Sequence, residues 1–573
     1  MTREQHSVLA SEAPEALRAP GSGGPAPRAA LPARARLYAW LRRRRRWLVP
    51  LLVALLLTQM AVAMVTTAVR QTPTIDEPVY VATATDYLRE HRVRYNAEHP
   101  PLGKLVIMAG VAVADPHYDA SFHGDQGEVG RHLLYESGND PWRLMLWARL
   151  PVIALTLLFG LVVHAFAREV AGRAGGLAAL ALYAFCPDVI AHGSLATLDV
   201  PAAGFVLTSA WLVWRARRRP RLYLPLAGAA LGAALATKMS ALPAVPVLML
   251  LAAVSVYPRE RAARRTAVAR TLIAAAVVAL VALAVVWAAY LAVDPRLRFA
   301  PAGPVPVVHG LRGRLTDLLP FPHAYRAGML MQFSMEDYPW QGYLFGRLYT
   351  GSLWYYLPAA LLVKTPLGML ALWAAGAVAV VRMRRPRPAA PYILVPPAVL
   401  LAAAMTGSRD FGTRYAVFVP MFLAVGAGSL LLVRRRWAAL AAGALVLFVA
   451  VSSVRAFPYY LPYSNEAFGG PAKTHLRLHD SNVDWGQDLG RLADRLRDRY
   501  RGERVWLVYK GAAPPSYYGI HAADPRRVPP DEVHGVLVVS DSSVAKARGK
   551  LAQLIRGSRA IDDVGHSITI YRR

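Results

Sequence analysis

Apolar residues along this chain come in long unbroken blocks rather than at helical or strand spacing. LLVALLLTQMAVAMVTTAV, from Leu51, carries no charged residue. About 20 helical residues cross the hydrocarbon core of a bilayer, so apolar runs of 18 or more predict membrane spans. Eleven such runs are expected, near 47–69, 144–166, 175–191, 200–214, 222–237, 241–257, 271–293, 366–381, 391–405, 415–433 and 437–453. Beyond them the pattern changes. DLGRLADRLRDRY places Leu489, Leu492 and Leu496 on one helical face. RVWLVY and GVLVVSDS predict buried strands, VAKARGKLAQLIRG a second helix and SITIYRR a closing strand. The pattern predicts an all-α polytopic membrane protein with a small C-terminal α/β domain.

Three parts follow: an Arg-rich, Ala/Pro/Gly/Ser-rich tail over 1–46, expected to be disordered; a spanning domain over 47–454 with long polar loops at 70–142 and 294–364; and the α/β segment over 455–573. The tail's length and its five consecutive Arg argue against a cleaved signal peptide, so the first run is expected to stay as an anchor. No solenoid repeat is visible, nor an inverted pair of broken spans of the kind found in transporters.

Charge then sets direction. The chain has 573 residues, 55% hydrophobic, with 66 Lys+Arg against 36 Asp+Glu. In a soluble protein a net charge of +30 would suggest nucleic acid. Here the basic clusters RARRRPR, RERAARR, RMRRPR and Arg434-Arg435-Arg436 fall in every second connection between apolar runs. That is the pattern of cytoplasmic loops, and no nucleic-acid partner is expected. The N-terminus is then cytoplasmic and, with an odd number of spans, the C-terminus is extracytoplasmic. Residues 70–142, which hold eleven Asp and Glu against six Lys and Arg, face outward. A soluble enzyme and a disulfide scaffold are both excluded. The single Cys186, in an apolar run, is read as packing.

Candidate chemistry gathers at the outer membrane edge. TIDEPVY follows the first span at once. Asp76 and Glu77, if both ionised in a poorly solvated site, would repel, and a raised pKa would suit a general base. The same residues also read as a helix start, with Thr74 or Asp76 as cap and Pro78 in the first turn. YNAEHPPLGKL brings Glu98, His99 and Lys104. A Glu-His pair can hold a metal, but two ligands do not make a site, so a divalent cation stays open and no other cofactor is expected. Asp199 reads as a cap of the next span. Lys238 and Lys364 stand alone at outer boundaries, where snorkelling and lipid-phosphate pairing are both open. SRDFGTRY places Arg409, Arg414 and Tyr415 similarly, and arginine suits phosphate because its fork binds two oxygens. HDSNVDWGQDLGRL reads as a loop with a helix cap. There is no Gly-rich nucleotide loop.

The order of an acidic pair after the first span, HPPLGK, T-x-D, TK, KTP and RY resembles the phospholipid-carrier-dependent glycosyltransferases of the C-type membrane fold. Within that fold it is most similar to the protein O-mannosyltransferase group, glycosyltransferase family 39. DSNVDWGQDL followed by a small outer segment is similar to bacterial members. The resemblance covers roughly 47–500. It implies an inverting transferase in the plasma membrane that takes a sugar, mannose in that group, from a polyprenyl monophosphate at the outer leaflet. The acceptor is a hydroxyl: Ser or Thr of secreted proteins, a lipid or a cell-wall polymer. By motif, Asp76 is the implied base and Glu77 its companion acid. Glu98 and His99 shape the cleft, Asp199 and Tyr415 line it, and Lys104, Lys364 and Arg414 are implied for the lipid phosphate. Two departures stand out: Glu98 replaces the group's usual Asp, and the 294–364 loop is too short for the inserted domain of eukaryotic members. A transporter or flippase is the competing class.

Overall fold

The computed structural model describes residues 33–257 and 264–573, and residues 52–573 form one compact unit. The tail expected over 1–46 lies outside the described residues up to 32, and a helix runs over Ala33–Arg70. Part of the basic cluster after Pro258 also lies outside them.

The chain is mostly helical. Among the described residues, six helices are long and apolar enough to cross a membrane: Trp47–Arg70, Pro141–Ala184, Met239–Val256, Arg265–Val293, Arg387–Ala404 and Arg436–Ala456. A seventh is the pair Tyr356–Lys364 and Leu367–Arg382, if counted as one span bent by 119°. Pro366 forces that bend, because proline has no N–H to continue the first helix. Among the described residues, length and composition thus support six or seven spans, and the expected count of eleven is not confirmed. Two expected spans, 144–166 and 175–191, lie largely within Pro141–Ala184, which breaks at Gly172 (φ 82°). The second of them ends early, and Pro187 opens a separate short helix, Pro187–Gly193. Asp199–Ala216 and Pro220–Thr237 are 18 residues each with charged or proline-bearing ends, and Phe418–Ala427 tightens into a 3-10 turn.

Small residues let these helices approach closely. A Cβ on Gly232 would stand 2.5 Å from the Ala282 carbonyl oxygen, so Pro220–Thr237 meets Arg264–Val293 backbone to backbone there. Close packing replaces the hydrophobic driving force that lipid removes.

The 70–142 segment folds as short helices. Glu77–Glu90 starts with proline in its first turn, as expected, but Asp76 makes no capping hydrogen bond. Leu102–Ala114 follows Pro101, and Gln126–Arg131 opens with a capping box between Asp125 and Glu128. In 294–364, the helix His323–Asp337 precedes an antiparallel hairpin of β1 (Gln341–Leu344) and β2 (Arg347–Thr350).

Toward the C-terminus, β3 (Val505–Val508), β4 (Val536–Ser540), β5 (Arg559–Val564) and β6 (Ile568–Arg572) form one sheet in the order β3-β4-β6-β5. Only β3 and β4 are parallel. Strand periodicity sends Val536 and Val538 toward Leu489, Leu492 and Leu496 of the helix Leu489–Arg499, and Leu537 and Val539 toward Leu551 and Leu554. The expected second helix is split into Asp541–Ala545 and Gly549–Arg556, with Gly549 at φ 52°. β5 was not expected.

Candidate active site

The segment 480–489 lies against the stretch that follows the first span. Thr72 N–H donates to the Gln487 carbonyl and Ile75 N–H to that of Trp485, each at 3.0 Å, and the Thr72 hydroxyl donates to the Gly486 carbonyl at 2.9 Å. DSNVDWGQDL is therefore the support of the acidic pair, more than a loop with a cap. Asn482 extends the support: its Oδ1 accepts from Thr413 N–H at 3.1 Å and its amide donates to Tyr356 Oη at 2.9 Å.

Beside this support opens a cavity of about 780 Å³, lined by residues from stretches far apart in the chain. The first outer loop supplies Asp76, Glu98 and His99, the outer ends of two helices Asp199 and Lys238, and the 406–415 segment Arg409, Arg414 and Tyr415. Trp485 forms part of the wall.

Three ion pairs line it. Asp76 Oδ2 accepts from Arg414 Nη1 at 2.6 Å, and Oδ1 accepts from no described residue. Arg414 is nearly buried, with its guanidinium 4.3 Å from the Trp485 ring and Nη2 3.2 Å from Tyr415 Oη. Asp199, the first residue of its helix rather than its cap, accepts from Lys238 Nζ at 2.5 Å. Glu336 Oε1 accepts from Arg409 Nε at 2.7 Å. Glu98 Oε1 accepts from Asn96 and Gln126 at 2.8 and 2.9 Å. Burial, then the charges of Lys238 and Lys104, holds the His99 imidazole well below its usual pKa, so it is neutral at physiological pH. Burial likewise pushes Asp410, bonded to Tyr349 Oη at 2.8 Å, up to about 6.

Three of the residues singled out by motif lie elsewhere. Glu77 is fully buried. Arg149 Nε donates to Oε1 at 2.8 Å and Nη2 to Oε2 at 2.7 Å, while Thr74 N–H, the Thr74 hydroxyl and Ala196 N–H complete its shell. Burial pushes its pKa up, but Arg149 and these donors outweigh it and hold the carboxyl low. The mutual repulsion expected of the acidic pair is thus absent, because each acid has its own arginine. Lys104 is sealed beneath the 96–99 turn, donating to the Asn96 and His99 carbonyls at 2.7 Å each. Lys364 is sealed too, at 2.5 Å from the Leu461 carbonyl and 3.0 Å from that of Asn482, with Asp188 at 3.6 Å. Neither ammonium lines the cavity. Arg149 gave no sequence signal, being one arginine in a long apolar helix. Gln332 and Glu336 lie on the helix His323–Asp337, in a stretch without motif.

Residues 53–294 match the family model for dolichyl-phosphate-mannose-protein mannosyltransferases. Over that stretch the chain carries a domain of this family. It is an enzyme of the lipid-carrier-dependent glycosyltransferase class and a multi-pass membrane protein. The matched stretch includes Asp76, Glu98, His99, Asp199 and Lys238, whereas Arg409, Arg414, Tyr415 and Trp485 come from beyond it. No curated protein matches the sequence. Among solved structures the chain is similar to ArnT from Cupriavidus metallidurans in the apo state, with 17% identity and TM-score 0.48 over 92% of this chain and 98% of that one. It is also similar to the S. cerevisiae Pmt1-Pmt2 complex bound to the sugar donor, with 20% identity and TM-score 0.33 over 42% and 33%. A third is AglB from Archaeoglobus fulgidus in complex with an inhibitory peptide and a dolichol-phosphate, with 11% identity and TM-score 0.44 over 87% and 70%. Among the described residues, no three His, Cys, Asp or Glu side chains gather as a metal site.

Proposed function

We propose that this chain moves a sugar, mannose in the first instance, from a polyprenyl monophosphate to a hydroxyl at the outer face of the plasma membrane, with inversion. The N-terminus is cytoplasmic and the C-terminal sheet extracytoplasmic. The observation that carries this reading is the cavity in which Asp76, with one carboxylate oxygen open, faces a set of fixed cations.

In the reaction the acceptor oxygen attacks the anomeric carbon while its proton passes to Asp76. The bond from that carbon to the phosphate oxygen breaks, and the polyprenyl phosphate leaves with the electron pair. Arg414 orients Asp76 through Oδ2 and leaves Oδ1 for the proton. Charge grows on the leaving phosphate, so cations fixed beforehand favour the transition state over the ground state. Glu98 and His99 shape the acceptor side, with Asp199 and Tyr415 lining the cleft. Lys104 and Lys364 act on the site through the segments they hold.

The test is incubation of purified protein in nanodiscs with labelled polyprenyl-phosphate-mannose and a membrane extract, fractionated into protein, lipid and polymer. Label in the protein fraction supports Ser or Thr as acceptor, and label in the other fractions names a lipid or polymer. No transfer from any polyprenyl-phosphate sugar overturns the reading.

A further inference from the structure

The cations around the cavity are not equivalent. Arg414 commits Nη1 to Asp76 and Nη2 to Tyr415, and Lys238 gives its ammonium to Asp199. Arg312 sits at an exposed rim, paired with Asp337. Arg409 differs. Its Nε and Nη2 bind Glu336, and Nη2 also binds Gln332 Oε1 at 2.5 Å. Among the described residues, its Nη1 meets only the Met335 thioether, at 3.8 Å. A thioether is a weak acceptor, so one side of the guanidinium is braced and the other is open to an oxyanion. The brace is itself fixed: Glu336 Oε2 accepts from Ser408 N–H at 3.0 Å, and its carbonyl accepts from the Ser408 hydroxyl at 2.6 Å.

Gln332 joins this brace to the opposite wall. A guanidinium only donates, so the amide must turn its oxygen to Arg409. Its nitrogen then reaches the Glu98 carbonyl at 2.9 Å and His99 Nδ1 at 3.5 Å. With Nδ1 of the neutral ring accepting, the proton lies on Nε2. One side chain thus fixes the direction of a cation and the tautomer of the facing histidine.

We propose that Arg409 receives the donor's phosphate, and that Gln332 is the positioning residue that holds this cation in register with the loop at Glu98 and His99. The inference rests on the sugar-transfer reading above and adds which cation takes the leaving group. A phosphate oxygen replaces the thioether at Nη1. As the sugar–phosphate bond breaks, the growing charge falls on a guanidinium already held in place by Glu336 and Gln332.

The test is kinetic, on the full chain in nanodiscs, with free polyprenyl phosphate, which is not itself turned over, as a competitive inhibitor of the transfer rate that each variant retains. Arg409→Met is expected to weaken that inhibition about tenfold or more, and Arg409→Lys to recover part of it as a point charge. Gln332→Leu is expected to raise KM for the donor about tenfold with kcat changed less than about threefold, and with an unchanged Tm. Wild-type inhibition in Arg409→Met, or a Gln332→Leu variant altered only in Tm, overturns the inference. Should Arg409→Met not fold, the Arg409→Lys and Gln332→Leu readouts decide alone. Absence of transfer by the wild type fails the broader reading. Transfer by the wild type with intact inhibition of Arg409→Met fails only this one.

Discussion

Asp76 and Glu77 are chain neighbours, each bound to an arginine, yet they belong to different kinds of site. Arg414 holds Asp76 by one oxygen at the wall of a cavity, and the side chain keeps 27% of its surface open. Arg149 holds Glu77 through both oxygens, three further donors surround it, and nothing of it is exposed. A half-satisfied carboxylate in a cavity can take a proton from a substrate. A fully satisfied one tightens the junction between the first span, the helix Pro141–Ala184 and the turn before Ala196. The adjacent acids therefore separate chemistry from architecture instead of sharing a proton.

The sharpest way to break this contrast is to unpair the sealed site. Arg149→Met leaves Glu77 buried without a cation and is expected to cost about 3–5 kcal/mol. The loss is read as a fall in Tm and in monodisperse yield, with partial recovery in the double variant that adds Glu77→Gln. An unchanged Tm in Arg149→Met would refute the structural role.

A second sealed acid shows what happens without a lysine or arginine partner. Asp541 Oδ1 accepts from the Thr569 hydroxyl at 2.6 Å, its Oδ2 accepts no hydrogen bond from a described residue and lies 3.8 Å from His475 Nδ1, and burial pushes its pKa up to about 7. Between the unfolded value of 3.8 and about 7, the folded chain keeps a proton that the unfolded chain has lost. Its contribution is thus full below pH 4 and is lost as pH rises toward 7. Asp541→Asn is expected to stabilise the chain relative to wild type by about 2–3 kcal/mol at pH 8 and to lose that advantage by pH 4.5. A wild-type-minus-variant Tm difference that is flat with pH would refute it.

The smallest effect belongs to a sealed cation without a carboxylate. Lys104→Met removes the donor to the Asn96 and His99 carbonyls and is expected to cost about 1–2 kcal/mol. It also raises KM for the acceptor, because the loop carrying Glu98 shifts. Loss of donor affinity in its place would put Lys104 at the phosphate after all.

Much of this architecture was legible from residue order. Apolar blocks located the long apolar helices but not those within 70–142 and 294–364, and strand and helix periods located β3, β4, β6 and the helix Leu489–Arg499, because each buries a continuous face. β5 escaped because RAIDDV carries charge on a half-exposed edge. The motifs located Asp76, Glu98, His99, Asp199, Arg414 and Tyr415 at one cavity. What order could not separate was a cation that lines a cavity from one sealed beside it. Lys104 and Lys364 stand at the outer ends of apolar stretches just as Lys238 does, and only the long-range partners, Asn96, Leu461 and Asp199, distinguish them. Arg149 and Gln332 were invisible for the same reason, since their roles lie in contacts across 72 and 233–234 residues of chain.

The most direct test of the central claim is the initial rate of sugar transfer by Asp76→Asn, per folded molecule, from labelled polyprenyl-phosphate-mannose. The amide keeps an oxygen for Arg414 but cannot take the acceptor's proton. The rate is expected to fall by about 10²–10⁴-fold, with Tm close to that of the wild type. A rate within about threefold of wild type would place the proton elsewhere and contradict the assignment of Asp76 as the base.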